Sequence, residues 1–142
     1  FIPYGCMVDE FQHRMYENPS LTPEERNGIW LELEKKYRPW MDYDNLPFYS
    51  RGALWQQQLH IYLYPLYYID YCMAQTVAFQ LWMASLEDRA DAWARYLRFV
   101  DAGGAQTFEG LVQTAGLRLP YDPGCVRAVG EKISRWLDEN PL

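Results

Sequence analysis

Thr22-Pro23-Glu24-Glu25-Arg26-Asn27-Gly28-Ile29-Trp30-Leu31-Glu32-Leu33-Glu34-Lys35-Lys36-Tyr37-Arg38-Pro39 is the stretch that decides the fold class. It opens as a capping box, with Thr22 as the N-cap, Pro23 at the first helical position and Glu25 placed to reach back to the cap. Arg26, Ile29, Trp30, Leu33 and Tyr37 then recur at three- and four-residue spacings, which is one face of a helix. Arg38-Pro39 ends the run, because proline lacks an N–H and restricts the residue before it. Start, period and stop agree on one helix.

The same period extends to both sides. Upstream, Val8, Phe11 and Met15 form a stripe that Asn18-Pro19 stops. Downstream, residues 39–50 carry Pro39, Asp42, Asp44, Asn45 and Pro47 and read as a structured loop. A helical run starts near Arg51 with Leu54, Trp55, Gln58 and Leu59, and Pro65 is expected to kink or interrupt it. Periodicity resumes from Leu66 to about Ser85. Asp88 is placed to cap the next helix, with Trp93, Tyr96, Leu97 and Val100 expected inward and Gly103-Gly104 ending it. Thr107 opens a short helix that Gly116 closes, and Asp122-Pro123 starts a last one with Val126, Val129, Ile133, Trp136 and Leu137 on its apolar face. No strand alternation or repeat interrupts this pattern. The expectation is an all-α chain of six to seven helices forming a single domain over residues 1–142.

Composition narrows the partners. A length of 142 residues suits one core, and 49% apolar with 23% charged residues excludes disorder. A net charge of −6 with scattered basic residues argues against a nucleic-acid surface, which needs clustered Lys and Arg. No apolar run reaches the ~20 residues of a membrane helix. Cys6, Cys72 and Cys125 are widely spaced with no C-x-x-C pair, so neither a zinc knuckle nor a disulfide framework is suggested. Cys72 is expected to be a buried thiol, and a reducing cytoplasmic setting fits best. The start at Phe1-Ile2-Pro3-Tyr4 suggests a piece of a longer protein. Twelve Tyr against six Phe point to a use for phenolic hydroxyls beyond filling volume.

Two constellations bear chemistry. Asp9-Glu10-Phe11-Gln12-His13 has the spacing of the zinc motif H-E-x-x-H with Asp9 in place of the first His, so Asp9 and His13 share a helix face. No third ligand is announced, and a solvated helix face is the simpler reading. The denser constellation is His60-Ile61-Tyr62-Leu63-Tyr64-Pro65-Leu66-Tyr67-Tyr68-Ile69-Asp70-Tyr71. On an uninterrupted helix His60, Tyr64, Tyr68 and Tyr71 would share one side, although Pro65 perturbs that geometry. An aromatic core stripe would explain them. So would an array of neutral donors that holds a peptide carbonyl and stabilises its oxyanion, each donor being worth roughly 10²–10³ in rate. No activated nucleophile, G-x-S-x-G or glycine-rich phosphate loop accompanies them.

At these residues the sequence resembles the C-terminal part of the oligoendopeptidase F family, the thimet-oligopeptidase-like zinc metallopeptidases. The resemblance runs in order through Pro3-Tyr4-Gly5, Val8 to His13, Tyr16-Glu17-Asn18-Pro19, Thr22 to Arg26, Trp30 and Glu34-Lys35-Lys36-Tyr37. It continues through Asp42-Tyr43-Asp44, Arg51-Gly52, Trp55, Gln58, His60-Ile61, Pro65 to Tyr71 with Ala74-Gln75, and Trp136-Leu137-Asp138. The family usually has Phe in place of Leu66. The resemblance implies a C-terminal helical subdomain of a larger zincin-type oligopeptidase that hydrolyses short peptides. Zinc would be held by an H-E-x-x-H motif and a later Glu, all upstream of this segment, so this chain would bind no metal and be inactive alone. Tyr71 and His60 match the family's catalytic, oxyanion-stabilising groups, while His60, Tyr64, Tyr67 and Tyr68 match substrate contacts. The implied partners are a short peptide and the N-terminal catalytic half, with self-association of the isolated piece also expected. A non-catalytic helical module that binds a peptide or protein is the alternative.

Overall fold

Helices α1 (Ile2–Glu17) and α2 (Pro23–Tyr37) pack on each other and set the core of the first of two compact units. The chain is described by a computed structural model over residues 1–141. Met7, Val8 and Phe11 of α1 and Trp30 and Leu33 of α2 are fully buried. Phe11 meets the Trp30 ring edge-on at 5.1 Å and the Trp55 ring at 5.5 Å. The capping box forms as the sequence reads: Thr22 Oγ1 accepts from the Glu25 N–H, and the Glu25 carboxylate accepts from the Thr22 N–H.

Eight α-helices and a 3-10 turn (Leu54–Gln57) occur among the described residues, and no strand, so the fold is all-α. The count exceeds the expected six or seven because short elements add to it. Helix α3 (Pro47–Ser50) is a single turn inside the expected loop, and the run from Arg51 is broken into the 3-10 turn and α4 (Leu59–Leu63). Gly52 explains part of that break. At φ +79° it passes so close to α2 that a Cβ would lie 2.2 Å from the Asn27 carbonyl oxygen. The second break is sharper. Leu66 adopts φ +60°, which no right-handed helix continues through, so α5 (Ile69–Glu87) starts three residues later than the periodicity suggests.

From Met73 onward the chain forms the second unit, with the rest of α5, α6 (Arg89–Asp101), α7 (Phe108–Thr114) and α8 (Cys125–Glu139). Asp88 and Thr107 cap α6 and α7 as expected. Asp122 does not start α8. Its carboxylate instead accepts from the Leu119 N–H in the preceding turn, and Gly124 at φ +80° becomes the N-cap. The Gln80 amide exchanges two 2.9 Å hydrogen bonds with the Arg118 backbone. The Arg95 and Arg98 guanidiniums donate to the carbonyls of Gly116 and Thr114, the groups a helix end leaves unpaired.

A further expectation fails here. Trp93, Tyr96, Leu97 and Val100 do not face inward: α6 packs through Ala92 and its arginines and leaves those four exposed. Val126 and Leu137 of α8 are likewise exposed, while Val129 is buried. Periodicity shows which face is apolar; it does not supply what covers that face.

Candidate functional site

The break around Pro65-Leu66 builds the site. Helix α4 ends when the Tyr64 N–H donates to the His60 carbonyl, and a tight turn follows as the Tyr67 N–H donates to the Tyr64 carbonyl. The left-handed Leu66 is held by its N–H, which donates at 2.9 Å to the side chain of Gln12, a buried residue of α1. A polar side chain buried at the centre of α1 thus fixes a strained turn 54 positions away.

The turn folds five rings together that a straight helix would have strung along its length. His60 stands edge-on to Tyr68 at 4.9 Å and to Tyr71 at 5.9 Å, and meets Tyr64 at 6.1 Å. Tyr71 in turn contacts Tyr67 at 5.2 Å and Tyr68 at 5.7 Å. The members differ in exposure. Tyr68 is half-buried against Phe1 and Tyr4, whereas Tyr64, Tyr67 and Tyr71 are 56%, 44% and 40% exposed, too open for a closed core stripe. Burial raises the Tyr68 hydroxyl above the ordinary phenol range. Tyr71 is raised as well, chiefly by its hydrogen bond with Tyr67. Both therefore stay protonated donors at neutral pH.

Two residues that the sequence reading did not assign to the site, Gln58 and Tyr4, orient His60. Gln58 Nε2 lies 2.8 Å from His60 Nδ1, and the Tyr4 hydroxyl donates to Gln58 Oε1 at 2.7 Å. With an amide N–H donating to Nδ1, the neutral ring carries its proton on Nε2 and presents that nitrogen as a donor. Tyr4 is itself tied down: its ring lies under the Arg38 guanidinium at 4.7 Å, and burial pushes its hydroxyl up to about 12. Arg38 pairs with the buried Glu34, which accepts from the Trp30 indole N–H at 3.1 Å. A polar chain Trp30–Glu34–Arg38–Tyr4–Gln58–His60 thus runs from the core to the site. Gln58, two positions before His60, is the one link that local sequence could have disclosed; Tyr4 is 54 positions from Gln58.

The other constellation does not fit a metal. Asp9 and His13 form a 3.6 Å pair along one helix face, with burial raising the Asp9 carboxyl. Among the described residues no three His, Cys, Asp or Glu side chains group as possible ligands, so the residues present do not fit a zinc site. Glu10, beside them, is fully engaged by Lys36, Tyr37 and Arg14. A cleft of about 740 Å³ in the second unit is lined chiefly by Leu81, Trp82, Ala92, Trp93 and Tyr96 and offers apolar surface without a catalytic pair. No helix among the described residues is long and apolar enough to cross a membrane.

Three solved structures match nearly the whole chain. A 3.1 Å crystal structure named as an oligoendopeptidase F is 48% identical, with a TM-score of 0.92 over 99% of this chain and 25% of its own. PZ peptidase A with an inhibitor is 47% identical, with a TM-score of 0.92 over 99% of this chain and 25% of its own. A structure from Bacillus anthracis str. Ames, also named as an oligoendopeptidase F, is 38% identical, with a TM-score of 0.76 over 99% of this chain and 22% of its own. This chain therefore spans about a quarter of their length. No family model and no curated protein sequence matches it.

Proposed function

Because the chain belongs to the oligoendopeptidase F family, as its C-terminal part, we propose that it supplies the substrate-binding and oxyanion-stabilising groups of a zinc-dependent enzyme that hydrolyses short peptides. The observation that carries this reading is the cluster of His60, Tyr64, Tyr67, Tyr68 and Tyr71, in which oriented neutral donors gather at an exposed surface. In this reading the Tyr71 hydroxyl and the His60 Nε2–H donate to the scissile carbonyl oxygen as it gains negative charge. Donors fixed beforehand act there without reorganising during the reaction. Tyr64 and Tyr67 contact the bound peptide, and Tyr68, packed on Tyr4, holds the spacing between His60 and Tyr71.

Metal chemistry is assigned to residues outside this chain, since Asp9 and His13 make only a pair. The chain alone is accordingly expected to be inactive, and zinc measured after dialysis against metal-free buffer is expected near zero. One zinc per chain would overturn that division of labour. A span of a quarter of the relatives' length and the exposed Trp93, Tyr96, Leu97 and Val100 support packing against the remainder of a longer protein, or self-association in its absence. The odd number and wide spacing of Cys6, Cys72 and Cys125, with no C-x-x-C pair, support a cytoplasmic setting.

The deciding experiment is Tyr71→Phe in the longer protein that carries this segment. Loss of a donor used only in the transition state is expected to lower kcat by ~10²-fold with KM nearly unchanged. Turnover near that of the parent would refute the role given to Tyr71.

A further inference from the structure

Gly5 opens a gap in α1 that α5 fills with sulfur. A Cβ at position 5 would lie 2.1 Å from Cys72 Sγ, so only glycine lets the Cys72 thiol come up against the helix. There the thiol lies 3.7 Å from the Ile2 carbonyl oxygen and hydrogen-bonds the thiol of Cys6, the residue after Gly5. Cys72 is buried and Cys6 is half-buried, so Cys6 is the more accessible residue of the pair.

We propose that Cys6 of α1 and Cys72 of α5, which meet where Gly5 leaves room, form a dithiol that small disulfides oxidise to an intramolecular disulfide. The two members are prepared for different steps. The hydrogen bond from Cys72 lowers Cys6 to about 7, so a good share of it is thiolate near neutral pH. The same hydrogen bond, with burial behind it, raises Cys72 and keeps it a thiol.

In the first step the Cys6 thiolate attacks one sulfur of a low-molecular-weight disulfide; that S–S bond breaks and one small thiolate departs. Cys6 then no longer carries charge, and the largest cause raising Cys72 disappears. Cys72 gives its proton to solvent, attacks Cys6 Sγ and expels the second small thiol. The balance is two protein thiols oxidised to one disulfide and one small disulfide reduced to two thiols. Cys125 lies in the second unit, is buried and raised by desolvation, and takes no part. The inference is independent of the peptide-hydrolysis reading. The bridge would tie α1 to the first turn of α5, one residue beyond Tyr71.

The test is to treat the folded chain with oxidised glutathione at neutral pH, quench with an alkylating agent in denaturant, and read intact mass and tryptic peptides. The expected result is a loss of two hydrogen atoms, a cross-link between peptides Phe1–Arg14 and Gly52–Arg89, and alkylated Cys125, all reversed by dithiothreitol. Cys72→Ser is expected to stop at a glutathione adduct on Cys6. Cys6→Ser is expected to lower the oxidation rate at Cys72 by at least about tenfold, since no readily formed thiolate remains to start the exchange. A persistent Cys6 adduct in the unsubstituted chain, an unchanged mass, or a cross-link through Cys125 would each overturn the proposal. These readings on the unsubstituted chain hold even if a serine variant fails to fold.

Discussion

The first unit buries large side chains at its core, while the second buries only small ones. Met7, Phe11, Trp30 and Leu33 have no exposed surface, whereas Trp93 is 59% exposed and the second unit's buried apolar residues, such as Val77, Ala92, Val112 and Val129, are small. The polar networks differ in the same way. Glu34 and Arg38 are paired inside the first unit, but Gln80 and Arg98 of the second bond backbone groups at turns, and Arg95 divides its donors between the exposed Asp91 and the Gly116 carbonyl. The first unit is therefore held by side-chain volume, and the second by caps and turn closures that each contribute about 1 kcal/mol. The candidate site lies in the unit that can hold strain, and strain is present there at Leu66.

If that contrast is right, the largest effect belongs to Trp30→Ala. It would empty a fully buried site beside Phe11 and remove the indole N–H that donates to Glu34. Truncations of this kind cost about 3–5 kcal/mol, and the midpoint of urea unfolding should fall accordingly. A cost under about 1 kcal/mol would mean that the first unit does not depend on its core.

The same contrast explains what was legible in the sequence. Helices α2, α6 and α7 could be read because their caps are local: Thr22, Asp88 and Thr107 each bond N–H groups within three residues. The site was legible as a list, since His60, Tyr64, Tyr67, Tyr68 and Tyr71 are near neighbours in the chain. Its shape was not. On an uninterrupted helix His60, Tyr64, Tyr68 and Tyr71 would line one side; Pro65 signals an interruption, but not that the break falls at a left-handed Leu66 held by Gln12 on α1. The link from Tyr4 through Gln58 to His60 is equally non-local. Trp93 was misread for a third reason: apolar spacing identifies a stripe, and only packing decides whether that stripe is covered.

A middle-sized effect tests the charged link between α1 and α2. Glu10 accepts from Lys36 and from Tyr37 at 2.6 Å each, and those bonds hold its carboxyl at about 2 against an ordinary 4.5. A carboxylate depressed in the folded state binds its proton more readily when unfolded. Its stabilisation is therefore present above pH 4.5 and lost as the pH falls from 4.5 towards 2. Glu10→Gln should be less stable at pH 7 and lose less on acidification, so the two unfolding curves converge near pH 2. Asp9, shifted upward by burial, works in the opposite direction but does so in both proteins and cancels in the comparison. Parallel curves across that window would show that the Glu10 contacts are not formed in solution.

The smallest effect is expected at Trp93, and there a large one would be the most informative. Its ring stacks on Tyr96 at 5.3 Å and is otherwise mostly in water. Trp93→Ala therefore loses one exposed stack and a little covered area while gaining the better helix propensity of alanine, and these offset to within about 0.5 kcal/mol. Urea unfolding of the chain at low protein concentration should scarcely register the change. If Trp93→Ala instead cost about 2 kcal/mol or more, Trp93 would have to be covered by something this single chain does not contain, and a second copy is the obvious candidate. Repeating the unfolding over a wide concentration range distinguishes the cases, because a surface buried between copies makes stability rise with protein concentration and an exposed one does not.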